Sequence, residues 1–171
     1  MKKIIFATKD MLRNYFRING RLSRAGYWWG VLGYVIISVI CSLIGMALDT
    51  EIPVSVCGLV FFIPLFTAAV RRYHDCGWST ARVILLYVLN FLFGWVTLGS
   101  LVSMILGFAS DSMGLLGGSL LVLGICLIGN MVVTIIMFVG LFKRSEPGEN
   151  RYGMPNPFDP DADDRTDVVD L

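Results

Sequence analysis

The chain has 171 residues, is 56% hydrophobic, has a mean hydropathy of +0.71 and carries a net charge of +1. A soluble domain of this length has too little interior to hide so much apolar side chain, so a water-soluble enzyme fold is excluded. A zinc centre is disfavoured as well, because the chain has one His and its four Cys (41, 57, 76 and 126) lack metal or disulfide spacing.

Residues 1–26 form a basic arm. Within it, 4–18 reads as a short amphipathic helix. Thr8 is a candidate N-cap, Ile5, Leu12 and Phe16 recur near helical spacing, and Lys9, Arg13 and Arg17 occupy other faces. Such a helix lies in the headgroup layer or packs on the ends of a bundle. The leader is too long for an ordinary signal-peptide n-region, so the first apolar stretch is expected to stay as an anchor.

Uncharged apolar stretches follow at about 27–48, 52–70, 83–106 and 115–141, each long enough to cross a hydrocarbon core of about 30 Å as a helix. The fold class predicted is an all-α integral membrane protein, a four-helix bundle over 27–142. Asp49-Thr50-Glu51 is short enough to make the first two spans antiparallel neighbours. Pro64 removes a backbone donor near the end of the second span and should kink or loosen it. Trp95 would sit at mid-membrane, so either the third span ends nearer Leu101 or Trp95 packs inside the bundle.

Small residues spaced for close helix contact occur at Gly26 and Gly30, Ser38 and Ser42, and Gly114 and Gly118. Asn90 and Asn130 are the most polar residues at membrane depth and can join the third and fourth spans directly or through water. Residues 143–158 are turn-rich. Residues 159–171, with six Asp and one Arg, read as a disordered acidic tail.

Charge fixes the predicted orientation. Seven of the basic residues, from Lys2 to Arg24, precede the first span, Arg71, Arg72 and Arg82 separate the second and third, and Lys143, Arg144, Arg151 and Arg165 follow the fourth. The other two connections carry only Asp49, Glu51 and Asp111. Basic residues remain on the cytoplasmic side during insertion, which predicts a multi-pass membrane protein with both termini and the middle loop cytoplasmic.

Three polar motifs then share one leaflet. The first is Gly20-Arg21-Leu22-Ser23-Arg24 before Tyr27-Trp28-Trp29, with Ser23 placed to cap the first span. The second is Arg71-Arg72-Tyr73-His74-Asp75-Cys76-Gly77-Trp78-Ser79. Its arginines complement a helix C-terminus, Gly77 suits a left-handed turn, and Ser79 can cap the third span. The third is Gly148-Glu149-Asn150-Arg151-Tyr152-Gly153, followed by Pro155-Asn156-Pro157.

These motifs in this order resemble a bacterial inner-membrane family, domain of unknown function family 805, the YhaH-like proteins. The resemblance covers about residues 13–157. It implies small multi-span proteins without an assigned activity and adds no chemistry. The chain departs from the pattern at Gly26, where Glu is usual, at Thr80-Ala81-Arg82, where Gly-Trp-Trp is usual, and by the extra residue Met154.

Convergence of the motifs predicts a polar cluster of Arg21, Arg24, Arg71, Arg72, His74, Asp75, Asn150, Arg151 and Tyr152. Spare guanidinium there can hold an anionic lipid headgroup or the acidic segment of a protein partner, because its planar fork bonds two oxygens at once. The expectation is a non-enzymatic protein without cofactor, catalytic residues or nucleic-acid partner. An oligomeric transporter or channel subunit is the alternative, weakened by the lack of ionisable residues at membrane depth. A third reading is a lipid-headgroup enzyme with His74 as base. Adjacent residues on a helix point apart, however, and a carboxylate beside two arginines is more often an ordering ion pair.

Overall fold

A computed structural model describes residues 1–156 and Phe158. The described residues form five helices: α1 (Lys2–Arg13), α2 (Arg24–Ala47), α3 (Ile52–Asp75), α4 (Thr80–Ala109) and α5 (Met113–Phe142). Helices α2 to α5 are long and apolar enough to cross a membrane. At 24 residues, α2 and α3 extend about 36 Å; at 30 residues, α4 and α5 extend about 45 Å. The acidic tail 159–171 lies outside the described residues.

The chain divides into two compact units, residues 1–78 with the segment from Lys143 onward, and Ser79–Phe142. In the first unit α1 and α3 both pack on α2. Helix α1 starts at Lys2, with Met1 rather than Thr8 at its N-cap position, and the Thr8 hydroxyl instead donates to Ile4 O at 2.8 Å inside the helix. This helix packs along the side of α2. Met11 lies over Gly30, and Thr8 and Ile4 lie over Gly33, so the two helices run antiparallel. A methyl group on Gly33 would fall inside the envelope of the Thr8 side chain, so contact at this spacing requires glycine.

Helix α3 continues through Pro64 to Asp75, so the Arg71–Asp75 motif is helical. The predicted caps are present: Ser23 Oγ accepts from Gly26 N and Ser79 Oγ accepts from Arg82 N, both at 3.2 Å.

In the second unit α4 packs on α5. Asn90 Nδ2 donates to Thr134 Oγ1 at 3.0 Å, and Thr134 Oγ1 donates to Asn130 Oδ1 at 3.3 Å. The link expected between Asn90 and Asn130 is therefore relayed by a threonine hydroxyl. Trp95 corrects both sequence alternatives. Helix α4 runs past it to Ala109, and its side chain is 59% exposed, in edge contact with Phe91. An indole there is compatible with lipid contact because only its N–H is polar.

The α2–α3 and α4–α5 connections use one device. Thr50 N donates to Gly45 O and Ser112 N donates to Gly107 O, closing each helix with a six-residue turn whose left-handed residue is Asp49 (φ 51°) or Asp111 (φ 52°). The sequence carries this as Gly45-Met-Ala-Leu-Asp49-Thr50 and Gly107-Phe-Ala-Ser-Asp111-Ser112. A Cβ on Gly45 would come within 2.6 Å of Thr50 O, a backbone atom that cannot step aside cheaply. Gly58, inside α3, has no neighbour within 4 Å of such a Cβ. Gly45→Ala should therefore lower the unfolding temperature in detergent, while Gly58→Ala should leave it unchanged or raise it by removing about 0.5–1 kcal/mol of glycine entropy. Equal effects of the two substitutions would refute this account of the turn.

Candidate functional site

Every residue from Thr67 to Cys76 is buried, on all sides of the final turns of α3. A helix end leaves its last carbonyls without intrahelical donors, so burial demands that others supply them. Leu22 N donates to Arg71 O at 3.1 Å, Trp78 N to Tyr73 O at 3.0 Å, and Gly77 N to His74 O at 3.1 Å. Gly77 takes the predicted left-handed conformation, φ 78°, and Tyr73 stacks on Trp78 at 5.2 Å, the apolar contact expected beside this type of cap. The segment after Lys143 completes the set. Glu146 N donates to Asp75 O at 2.9 Å, Asn150 Nδ2 to His74 O at 3.0 Å, and Lys143 Nζ to Cys76 O at 3.3 Å.

Within this shell lies a charged clasp. Asp75 Oδ1 accepts from Arg21 Nε at 3.0 Å and Asp75 Oδ2 accepts from Arg72 Nη1 at 2.7 Å, all three side chains being at most 2% exposed. Two guanidinium groups share one carboxylate, and backbone carbonyls take further donors. Arg21 Nη1 donates to Gly148 O at 2.6 Å and Gly153 O at 3.3 Å, Arg21 Nη2 to Glu146 O at 2.6 Å, and Arg72 Nη2 to Lys143 O. Such a carbonyl cage lets an arginine be buried without a private counter-ion.

His74 and Asp75 are neighbours in sequence but serve different partners. The carboxylate serves the two arginines, while His74 Nδ1 lies 3.3 Å from Gly20 O and the imidazole stacks on Tyr152 at 3.6 Å and 2°. The third motif is pinned by its own turn, with Tyr152 N donating to Asn150 Oδ1 at 2.9 Å and an antiparallel bridge between Asn150 and Gly153.

Of the predicted cluster, Arg21, Arg72, His74, Asp75, Asn150 and Tyr152 come together. Arg71 turns toward α1, its Nη1 3.5 Å from Asp10 Oδ2. Arg24 is exposed at the start of α2, and exposed Arg151 lies over the Tyr152 ring at 4.7 Å. The expected spare donors are therefore not those of Arg21 and Arg72, which face inward. Sequence reasoning missed Asp10, Lys143, Glu146 and the carbonyls of Gly20, Gly148 and Gly153. Carbonyl acceptors leave no side-chain trace, but these three glycines have φ of 98°, 79° and 107°, and an isolated Gly in a polar motif signals such a turn.

Fold and site together define a small helical protein with four helices able to cross a membrane and a buried ion-pair clasp at the end of one of them. The chain belongs to the family described as "Protein of unknown function (DUF805)", which it matches over residues 15–154. It is 34% identical over 91 residues to "Inner membrane protein YhaI" of Escherichia coli strain K12, spanning 52% of this chain and 75% of that relative. The same values hold for the protein of that name in Escherichia coli O157:H7. No solved structure matches the chain.

Asp75→Asn should strand two buried guanidinium groups and cost about 3–5 kcal/mol, the usual penalty for breaking a buried pair, read as loss of folded protein in detergent. Cys76 offers a gentler probe. Burial pushes its thiol pKa up against the pull of Arg72 and Lys143, and Asp75 adds to the rise. In a variant keeping Cys76 as its sole cysteine, maleimide labelling at pH 8 should be far slower than for an exposed thiol. It should accelerate in Glu146→Pro, which removes the N–H bonded to Asp75 O. Fast labelling of the parent would show the shell to be open.

Proposed function

We propose that this chain is a non-enzymatic inner-membrane protein with both termini cytoplasmic, whose first unit engages anionic lipid headgroups. The observation carrying this reading is the division of its basic residues. The clasp consumes Arg21 and Arg72 internally, while Arg17, Arg24, Arg144 and Arg151 are exposed in the same unit. Arg17 stands between Phe16 and Ile18, which are 76% and 41% exposed. An exposed basic residue flanked by exposed apolar ones suits the headgroup layer, where apolar side chains enter the acyl boundary and the cation meets phosphate.

Orientation follows from the excess of Lys and Arg at both ends and between α3 and α4. The inner-membrane assignment draws on the names of the relatives. The non-enzymatic reading is supported by Asp75, whose two oxygens serve arginines rather than His74. The clasp is then a scaffold that holds the basic surface in shape.

The test is native mass spectrometry of protein released from mild detergent with mixed phosphatidylglycerol and phosphatidylcholine. Combined R17Q, R24Q and R151Q should reduce the preference for phosphatidylglycerol, at roughly fivefold per basic residue in headgroup contact. R21Q and R72Q should reduce yield instead. An unchanged preference in the triple variant would sink the headgroup reading.

A further inference from the structure

The clasp finds acceptors for the guanidinium groups of Arg21 and Arg72 but leaves out Arg71. Arg71 is 4% exposed, and its Nη1 reaches Asp10 Oδ2 at 3.5 Å. Its Nε and Nη2 are buried without an acceptor. Asp10 is a divided partner, since its side chain is 34% exposed and Oδ1 already accepts from Asn14 Nδ2 at 2.8 Å. A buried donor without an acceptor is costly, and more so on a cation.

The two orphaned nitrogens are not independent. In a guanidinium group Nη2 lies on the side of the Nε–H, so both point their hydrogens along one edge of the plane. That edge is a fork with which arginine grips two oxygens of a single carboxylate or phosphate.

The connection between α1 and α2 crosses this face of α3. Thr67 Oγ1 donates to Tyr15 O at 3.1 Å, and Leu22 N donates to Arg71 O at 3.1 Å. Between these ties Arg17 comes close enough for its charge to act on Arg71. Arg17 Nη1 donates to Asn14 Oδ1 at 3.4 Å, an amide that brings no negative charge. Two cations therefore share this locality with the carboxylate of Asp10. Residues 16–19 of the connection are exposed and lie outside the helices, so the cover over Arg71 can yield to a ligand.

We infer that Arg71 holds a phosphate group on its Nε–Nη2 edge beneath the α1–α2 connection, with Arg17 bonding a further oxygen. Phosphate suits the pair better than carboxylate, whose two oxygens the edge alone would use. Water would satisfy the donors but leave the two guanidinium groups repelling each other. The inference deepens the headgroup reading above and rests on it for a lipid source, while a free phosphate ion presents the same oxygens.

The full chain in mild detergent is titrated with phosphatidylglycerol and, separately, with inorganic phosphate against chloride at equal ionic strength. Binding is read by native mass spectrometry and by the rise in unfolding temperature. A single tight step with phosphatidylglycerol alone assigns the site to a headgroup, and one with inorganic phosphate assigns it to the free ion. In either case R71K, which keeps the charge but loses the fork, should weaken the step about tenfold, the worth of one charge-assisted hydrogen bond. R17Q should weaken it roughly fivefold. D10N removes the competing carboxylate and should tighten the step, which answers the question even where R71K folds poorly. R24Q with R151Q tests the surface reading without touching this site and should keep the step, so the two readings fail separately. Binding of neither probe, equal binding by the parent and R71K, or weaker binding in D10N would overturn the inference.

Discussion

Burying Arg21 and Arg72 against one carboxylate is the constraint on which the rest of the first unit depends. Two cations and one anion cannot balance by pairing alone, and an uncompensated guanidinium in the interior is costly. The structure resolves this with carbonyl oxygens from Lys143, Glu146, Gly148 and Gly153, each aimed by a turn rather than by a helix. The positive φ of Gly148 and Gly153 is thus part of the electrostatics. The same shell satisfies the carbonyls that the α3 terminus leaves without intrahelical donors, so helix capping and charge burial are solved by one set of residues. His74 fits this logic as a flat surface for Tyr152, which secures the segment that supplies the carbonyls.

Glycine placement does comparable work where no charge is present. At Gly45 and Gly107 it lets a helix turn back on itself, and at Gly30 and Gly33 it lets α1 reach α2. Gly58, Gly94, Gly99 and Gly124, by contrast, have nothing near the position of a Cβ. Spacing in sequence does not separate these groups. Gly114 and Gly118 match a small-residue pattern as well as Gly26 and Gly30 do, yet only the latter pair lies against other groups of this chain.

Helix number, approximate bounds, both serine caps and the Gly77 turn were legible because each depends on local residue type: long uncharged runs, a hydroxyl before a helix, a glycine after one. Convergence of the three polar motifs was legible from topology. What the sequence withheld was direction. Nothing in Arg71-Arg72 tells which guanidinium turns toward Asp75 and which toward Asp10, since that depends on the rotation of α3 about its axis. The apolar stretch stops at residue 70 because charge interrupts it, but the helix runs on to the Gly77 turn that the sequence marked, since buried partners let it carry Arg71, Arg72 and Asp75 inside it. Trp95 was misplaced for a related reason: the preference of tryptophan for the interface is a tendency that an apolar surface can override.

The discontinuity of the first unit has a consequence for how the protein is made. Arg21, Arg72 and Asp75 are all synthesised before the chain reaches Trp78, but the carbonyls that surround them come from residues 143–153. Translation proceeds from the N-terminus, and α4 and α5 must emerge in between. Until the final segment leaves the ribosome, the end of α3 therefore holds a charged centre without its complete cage. The last turn-rich stretch works as a closing latch, and a nascent chain halted before it would carry an unfinished first unit.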